Sequence, residues 1–145
     1  MNVELILNGR AAVLDARSDE MLLGVLRRAG LLSVRETCAI GVCGACTVLL
    51  DGEPVSGCLT LAAQAAGREV TTVEGLAGDR VQRAFAEAHA FQCGWCTPGF
   101  VLAAKRLLEL NPSPSDEQIA EGLGGNLCRC GSYVKIAEAV RRCAS

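Results

Sequence analysis

An α+β fold is what this 145-residue sequence predicts. Three observations carry it. Strand and hairpin signals crowd the first half, helical spacing runs through the second, and the nine cysteines sort into two sets of four with one left over. Strands, one helix and strands again, followed by helices alone, is a segregated pattern and not a series of βαβ units.

The first strand is read from Val3, Leu5 and Leu7 at alternate positions, and Asn8-Gly9 turns the chain into Ala12-Val13-Leu14. Ser18 is expected to cap a helix with Asp19 and Glu20 in its first turn. Leu22, Leu23, Val25 and Leu26 supply its apolar face, Arg27 and Arg28 its last turn, and Gly30 its stop. A cysteine- and glycine-rich loop follows from Cys38 to Cys46. A second hairpin then runs from Thr47 to Leu50 and turns at Asp51-Gly52, and a late strand covers Val70 to Val73. In the second half, Val81, Ala84, Phe85 and Ala88 sit at helical spacing. Thr97 is expected to cap a helix that opens at Pro98 and ends before Asn111-Pro112. Ser115 and Gln118 form a capping box for a short helix through Leu123, Gly124-Gly125 ends it, and a last helix runs from Tyr133 to Cys143. Four helices in this span suggest a small bundle. The boundary falls between Glu74 and Gly78, dividing the chain into residues 1–76 and 77–145. Domains this small usually lean on a metal, a disulfide or a partner surface.

Composition narrows the function. The net charge is −2 with no basic block, and aromatics make up 3%, so nucleic acid and anionic membranes are not expected partners. No apolar run reaches the roughly 20 residues that span a bilayer. The N-terminal stretch lacks a basic segment followed by an apolar core, so a cytoplasmic setting with reduced thiols is expected. That favours metal or redox work over disulfides, as does the odd cysteine count. His89 is the single histidine, which excludes a two-histidine Rieske site; it reads as an ordinary helix residue. Asp19/Glu20 and Asp116/Glu117 are helix-start charges, and no glycine loop is left over for phosphate. No catalytic site is expected on this chain.

The cysteine spacing carries the functional signal. Cys38-x4-Cys43-x2-Cys46, with Cys58 after eleven intervening residues, is the plant-type [2Fe–2S] spacing. Three thiolates from one loop must wrap a flat cluster, and Gly41 and Gly44 let the backbone approach and aim N–H groups at its sulfurs. Zinc sites favour paired knuckles and do not need such a glycine loop. The second set is Cys93-x2-Cys96 and Cys128-x-Cys130, each pair ahead of a helix. Read alone, it fits zinc, a redox pair or a second cluster, and two helix N-termini would favour an anionic group. Cys143 reads as a small apolar residue on the last helix.

Cys38-Ala-Ile-Gly-Val-Cys-Gly-Ala-Cys46 resembles the ferredoxin-like loop of the iron–sulfur (small) subunit of the molybdenum hydroxylases, the xanthine oxidase family. Phe91-Gln-Cys-Gly-Trp-Cys-Thr-Pro-Gly99 and Gly125-Asn-Leu-Cys-Arg-Cys130 are similar to its second-cluster motifs, so the resemblance covers nearly the whole chain. It implies an N-terminal β-grasp ferredoxin-like domain and a C-terminal four-helix-bundle domain, each holding one [2Fe–2S] cluster. Cys38, Cys43, Cys46 and Cys58 would hold the first and Cys93, Cys96, Cys128 and Cys130 the second. It also implies a large partner subunit carrying molybdopterin, beside which Gln92 and Cys130 would lie, and a medium subunit carrying FAD. Electrons would pass from the second cluster to the first. Two departures stand out: Gly131-Ser132-Tyr133 replaces a Thr-Gly-Tyr run, and Trp95 replaces a smaller aromatic. The rival readings are a free-standing two-cluster ferredoxin and a zinc-stapled module.

Overall fold

A computed structural model describes residues 1–144 and shows an α+β chain with a five-stranded mixed sheet and five α-helices. Strands β1 (Asn2–Leu7) and β2 (Arg10–Asp15) pair antiparallel from Asn2↔Asp15 to Leu7↔Arg10. Asn8 and Gly9 turn between them at φ 51° and 78°, the two left-handed residues that a tight hairpin requires. Val3 and Leu5 face inward onto helix α1 (Leu22–Arg28), whose Leu22, Leu23, Val25 and Leu26 are buried. The start of α1 differs from the sequence expectation. Met21, not Ser18, is the N-cap, because Met21 bridges to Leu61 and the Leu22 N–H donates to the Thr60 carbonyl at 2.7 Å. Glu20 accepts from the Arg17 N–H instead, at 3.1 Å.

Strands β3 (Thr47–Leu50) and β4 (Glu53–Ser56) form the second hairpin, and β5 (Glu69–Thr71) lies between β1 and β3, parallel to the first and antiparallel to the second. The sheet order is β2-β1-β5-β3-β4. β5 stops short of Val73. The Thr72 N–H donates to Asn8 Oδ1 at 2.8 Å, and residues Val73–Leu76 form a 3₁₀ turn. A side chain thus takes the amide that would have extended the ladder.

The second half is helical: α2 (Arg80–Glu87), α3 (Thr97–Leu110), α4 (Asp116–Gly122) and α5 (Tyr133–Cys143). Asp79 caps α2 by accepting from the Val81 N–H at 2.8 Å, and Lys105 on α3 pairs with the same carboxylate at 3.0 Å. The Ser115–Gln118 capping box opens α4 as the sequence indicates. Two local expectations change. Cys96, not Thr97, takes the N-cap position of α3, and Thr97 is the first helical residue. His89 lies beyond α2 in a left-handed turn at φ 50°, where its N–H donates to the Ala86 carbonyl. Cys143 is buried at the end of α5, its thiol 3.7 Å from the Arg80 carbonyl, as an apolar core residue should be.

Strand β3 joins the two halves. All four of its residues are buried: Val48 and Leu50 enter the core with α1, while Leu49 enters the core built from α2, α3 and α5. A strand covered on both faces loses the alternation of a half-exposed one, as Thr47-Val-Leu-Leu50 does. The helical half therefore packs against the sheet, and the loop that enters β3 lies against the start of α3 and the loop that enters α5. Among the described residues, no helix is long and apolar enough to cross a membrane.

Candidate metal centres

The first cysteine loop joins α1 to β3 and bends sharply: Ala39, Gly41 and Gly44 all have positive φ, at 55°, 78° and 71°. Gly41 is required by space, since a Cβ there would lie 2.1 Å from Leu59 Cδ1. Backbone amides converge on Cys38. Those of Ile40 and Cys43, with the Cys43 thiol and the Val42 amide, hold its pKa down to about 6. The β3–β4 hairpin brings Cys58 back to Cys46: the register Thr47↔Ser56 closes it, and the Cys58 N–H donates to Cys46 Sγ at 3.4 Å. Cys46 is buried, and burial pushes its thiol up to about 11.

The second set is built from two loops that run into helices. Cys93 and Cys96 lead into α3, and Cys128 and Cys130 lead into α5. The Trp95 N–H points at Cys93 Sγ (3.5 Å), and the Ser132 N–H points at Cys128 Sγ (3.3 Å). Trp95 thereby lowers the Cys93 thiol. At Cys128 burial opposes ionisation, but the bonds from Ser132, Cys96 and the Cys130 backbone together outweigh it and the thiol is lowered. Burial, reinforced by Cys128, pushes Cys96 up to about 12. Tyr133 steadies this loop, its hydroxyl accepting from the Cys128 N–H at 2.8 Å while its ring stands edge-on to Phe100.

The eight thiols fall into two groups of interacting neighbours, Cys38, Cys43, Cys46 and Cys58 in one and Cys93, Cys96, Cys128 and Cys130 in the other. All are free of disulfides. Among the described residues, no three His, Cys, Asp or Glu side chains gather where a single metal ion could bind them. Four thiols in each group match in number what a two-iron cluster takes, two protein ligands on each iron. Burial keeps the Cys46 and Cys96 thiols protonated at neutral pH unless a metal cation displaces the proton.

The two sets adjoin. The Leu127 N–H donates to the Cys43 carbonyl at 2.9 Å, linking the residue before Cys128 to a cysteine of the first loop. Asn126 is buried, and its amide donates to the Gly44 carbonyl at 3.0 Å. A Cβ on Gly44 would lie 2.5 Å from Asn126 Nδ2 and 2.6 Å from the Gly125 carbonyl oxygen. One on Gly99 would lie 2.3 Å from the Gly44 oxygen. A cavity of about 370 Å³ lies between the loops, lined by Thr37, Cys43, Cys93, Trp95, Cys96 and Cys128 among others. Gln92 and Cys130 sit at the surface beside the second set, and the Gln92 side chain makes no hydrogen bond to the described residues. Sequence reasoning missed Asn126, Tyr133, Arg35 and Thr37. Only Asn126 carried a signal, as a polar residue between a glycine pair and a cysteine.

Comparison with known proteins agrees with this geometry. Residues 14–89 match the family described as a 2Fe-2S iron-sulfur cluster binding domain, and residues 72–141 match the [2Fe-2S] binding domain. The chain is 47% identical to the nicotinate dehydrogenase small FeS subunit of Eubacterium barkeri, over all of this chain and 98% of that one. It is 46% identical to the nicotine 6-hydroxylase small subunit of Paenarthrobacter nicotinovorans, over 97% of this chain and 87% of that one. In structure it is similar to a chain of quinoline 2-oxidoreductase from Pseudomonas putida 86. The TM-score is 0.94 at 41% identity, over 97% of this chain and 90% of that one. Two matching iron–sulfur domain families and such relatives along the whole length place this chain in the family of small iron–sulfur subunits of the molybdenum hydroxylases.

Proposed function

We propose that this chain relays electrons between a molybdopterin-bearing large subunit and a flavin subunit or other acceptor, and has no catalytic site of its own. The observation that carries this reading is the gathering of eight thiols into two sets of four, in loops joined by the Leu127–Cys43 hydrogen bond. Cys38, Cys43, Cys46 and Cys58 are the ligands of the first [2Fe–2S] cluster, and Cys93, Cys96, Cys128 and Cys130 those of the second. Cysteine ligands there would let each cluster supply one-electron chemistry, which would split a two-electron oxidation into single steps.

The remaining residues serve that role. Amides of the first loop and of Trp95 and Ser132 point at sulfur and favour the charged ligand. The second set faces the molybdopterin side: Gln92 is exposed next to Cys93 with its amide free to bind the pterin, and Cys130 is exposed beside it. The first set faces the acceptor. In domain terms, residues 1–76 form the β-grasp ferredoxin-like unit and residues 77–145 the four-helix unit, whose last residue, Ser145, lies outside the described residues. The cell compartment is the cytoplasm. Substrate binds on the partner, so nothing in this chain selects it.

Gentle affinity isolation of the tagged chain from its native cells tests the reading. A large molybdopterin-containing chain is expected to co-purify, with or without a flavin chain. Recovery of the chain alone, carrying both clusters, would instead favour a free-standing ferredoxin.

A further inference from the structure

Trp95 is the sequence's one tryptophan, and it stands between two cysteines of the second set. Its side chain reaches away from that set. The indole Nε1–H donates to Thr37 Oγ1 at 2.8 Å, and Thr37 immediately precedes Cys38 of the first set. The Arg35 guanidinium lies over the ring, 4.6 Å from its centroid, within the range of a cation–π contact. Arg35 Nε is buried with no partner among the described residues, so the guanidinium is held by the ring face and not by a fully paired network. The backbone N–H of Trp95 meanwhile points at Cys93 Sγ. Trp95 and Thr37 both line the cavity that separates the cysteine sets. One residue is thus fastened to both loops.

We propose that Trp95 is a positioning residue that latches the Cys93–Cys96 loop onto the segment before Cys38 and fixes the spacing and orientation of the two clusters. The inference rests on the reading that the eight cysteines hold two clusters. The indole suits the task because its donor is on the side of a ring whose face is already covered. Phenylalanine has no donor, and tyrosine carries its hydroxyl at the far end of the ring. The Asn126 and Leu127 bonds hold the Cys128 side of the second set, and on the other side the start of α3 packs at Gly99 against the Gly44 carbonyl. Trp95 adds to that packing a directional side-chain bond from the Cys93–Cys96 loop itself.

The test uses the full chain loaded with both clusters and reads the magnetic splitting between them, fully reduced, by electron paramagnetic resonance. Thr37→Val removes the acceptor at nearly constant shape, and Trp95→Phe removes the donor. Each should produce a second population with altered splitting, the latched-to-unlatched ratio falling roughly 2- to 10-fold, the usual worth of one hydrogen bond. Thr37→Ser keeps an acceptor and should restore the wild-type splitting, which a purely steric role for Thr37 would not do. The double variant Thr37→Val/Trp95→Phe should add little to Trp95→Phe alone, because the bond is already broken there. Four irons with wild-type splitting in both single variants overturns the latch alone. Fewer than four irons in the wild-type chain overturns the cluster reading beneath it.

Discussion

Gly44→Ala is expected to strip iron from both cysteine sets, although Gly44 ligates nothing. Its φ of 71° is left-handed, which costs a residue bearing a Cβ about 1–2 kcal/mol. The added carbon would also meet Asn126 Nδ2 at 2.5 Å and the Gly125 oxygen at 2.6 Å. Relieving that overlap typically costs a further ~1–3 kcal/mol. Those neighbours belong to the loop of Cys128 and Cys130, so the strain must push the two loops apart. Gly52→Ala is the control, because Gly52 has a φ of 83° and a Cβ added there would meet nothing within 4 Å, leaving backbone strain alone. Iron per chain and thermal midpoint should fall much further in Gly44→Ala than in Gly52→Ala. Equal losses in the two variants would show that loop contact is unimportant.

The second large effect concerns the direction of electron flow. Cys128 is buried, pairs with Cys96, and accepts from the Ser132 N–H. Cys128→Ala removes one ligand of the second set and leaves the Cys96 thiol without its partner. The variant should lose about half its iron while the cluster of Cys38, Cys43, Cys46 and Cys58 keeps its spectrum. In the assembled complex, substrate should then no longer reduce that remaining cluster, and a chemical reductant still should. Reduction by substrate at the wild-type rate would reverse the proposed order of the two sets.

Local chemistry made much of the fold legible. Asn8-Gly9 specifies its hairpin through two positive φ angles, and Ser115 with Gln118 specifies its cap, because each signal acts within a few residues. The cysteine spacing is of the same kind, with three ligands in nine residues. What could not be read depends on distant partners. Ser18 has the chemistry of a helix cap, but the pairing of Met21 with Leu61 sets the start of α1. Thr97 has the chemistry of a cap too, yet Cys96 takes that place at the mouth of α3. Asn126 lies 82 residues from the carbonyl it binds, and Trp95 lies 58 from Thr37. No periodicity in the sequence reports such contacts, yet they set how the two sets of thiols face one another. The burial of β3 on both faces was hidden likewise, because the helix that covers Leu49 is folded from residues far along the chain.

Two sets of four cysteines acting on two pairs of irons is the claim beneath everything else. Iron and acid-labile sulfide, assayed on freshly isolated and oxygen-protected protein, address it most directly. Four irons and four sulfides per chain are the expected result. One or two zinc ions without sulfide, or iron well below four, would contradict it.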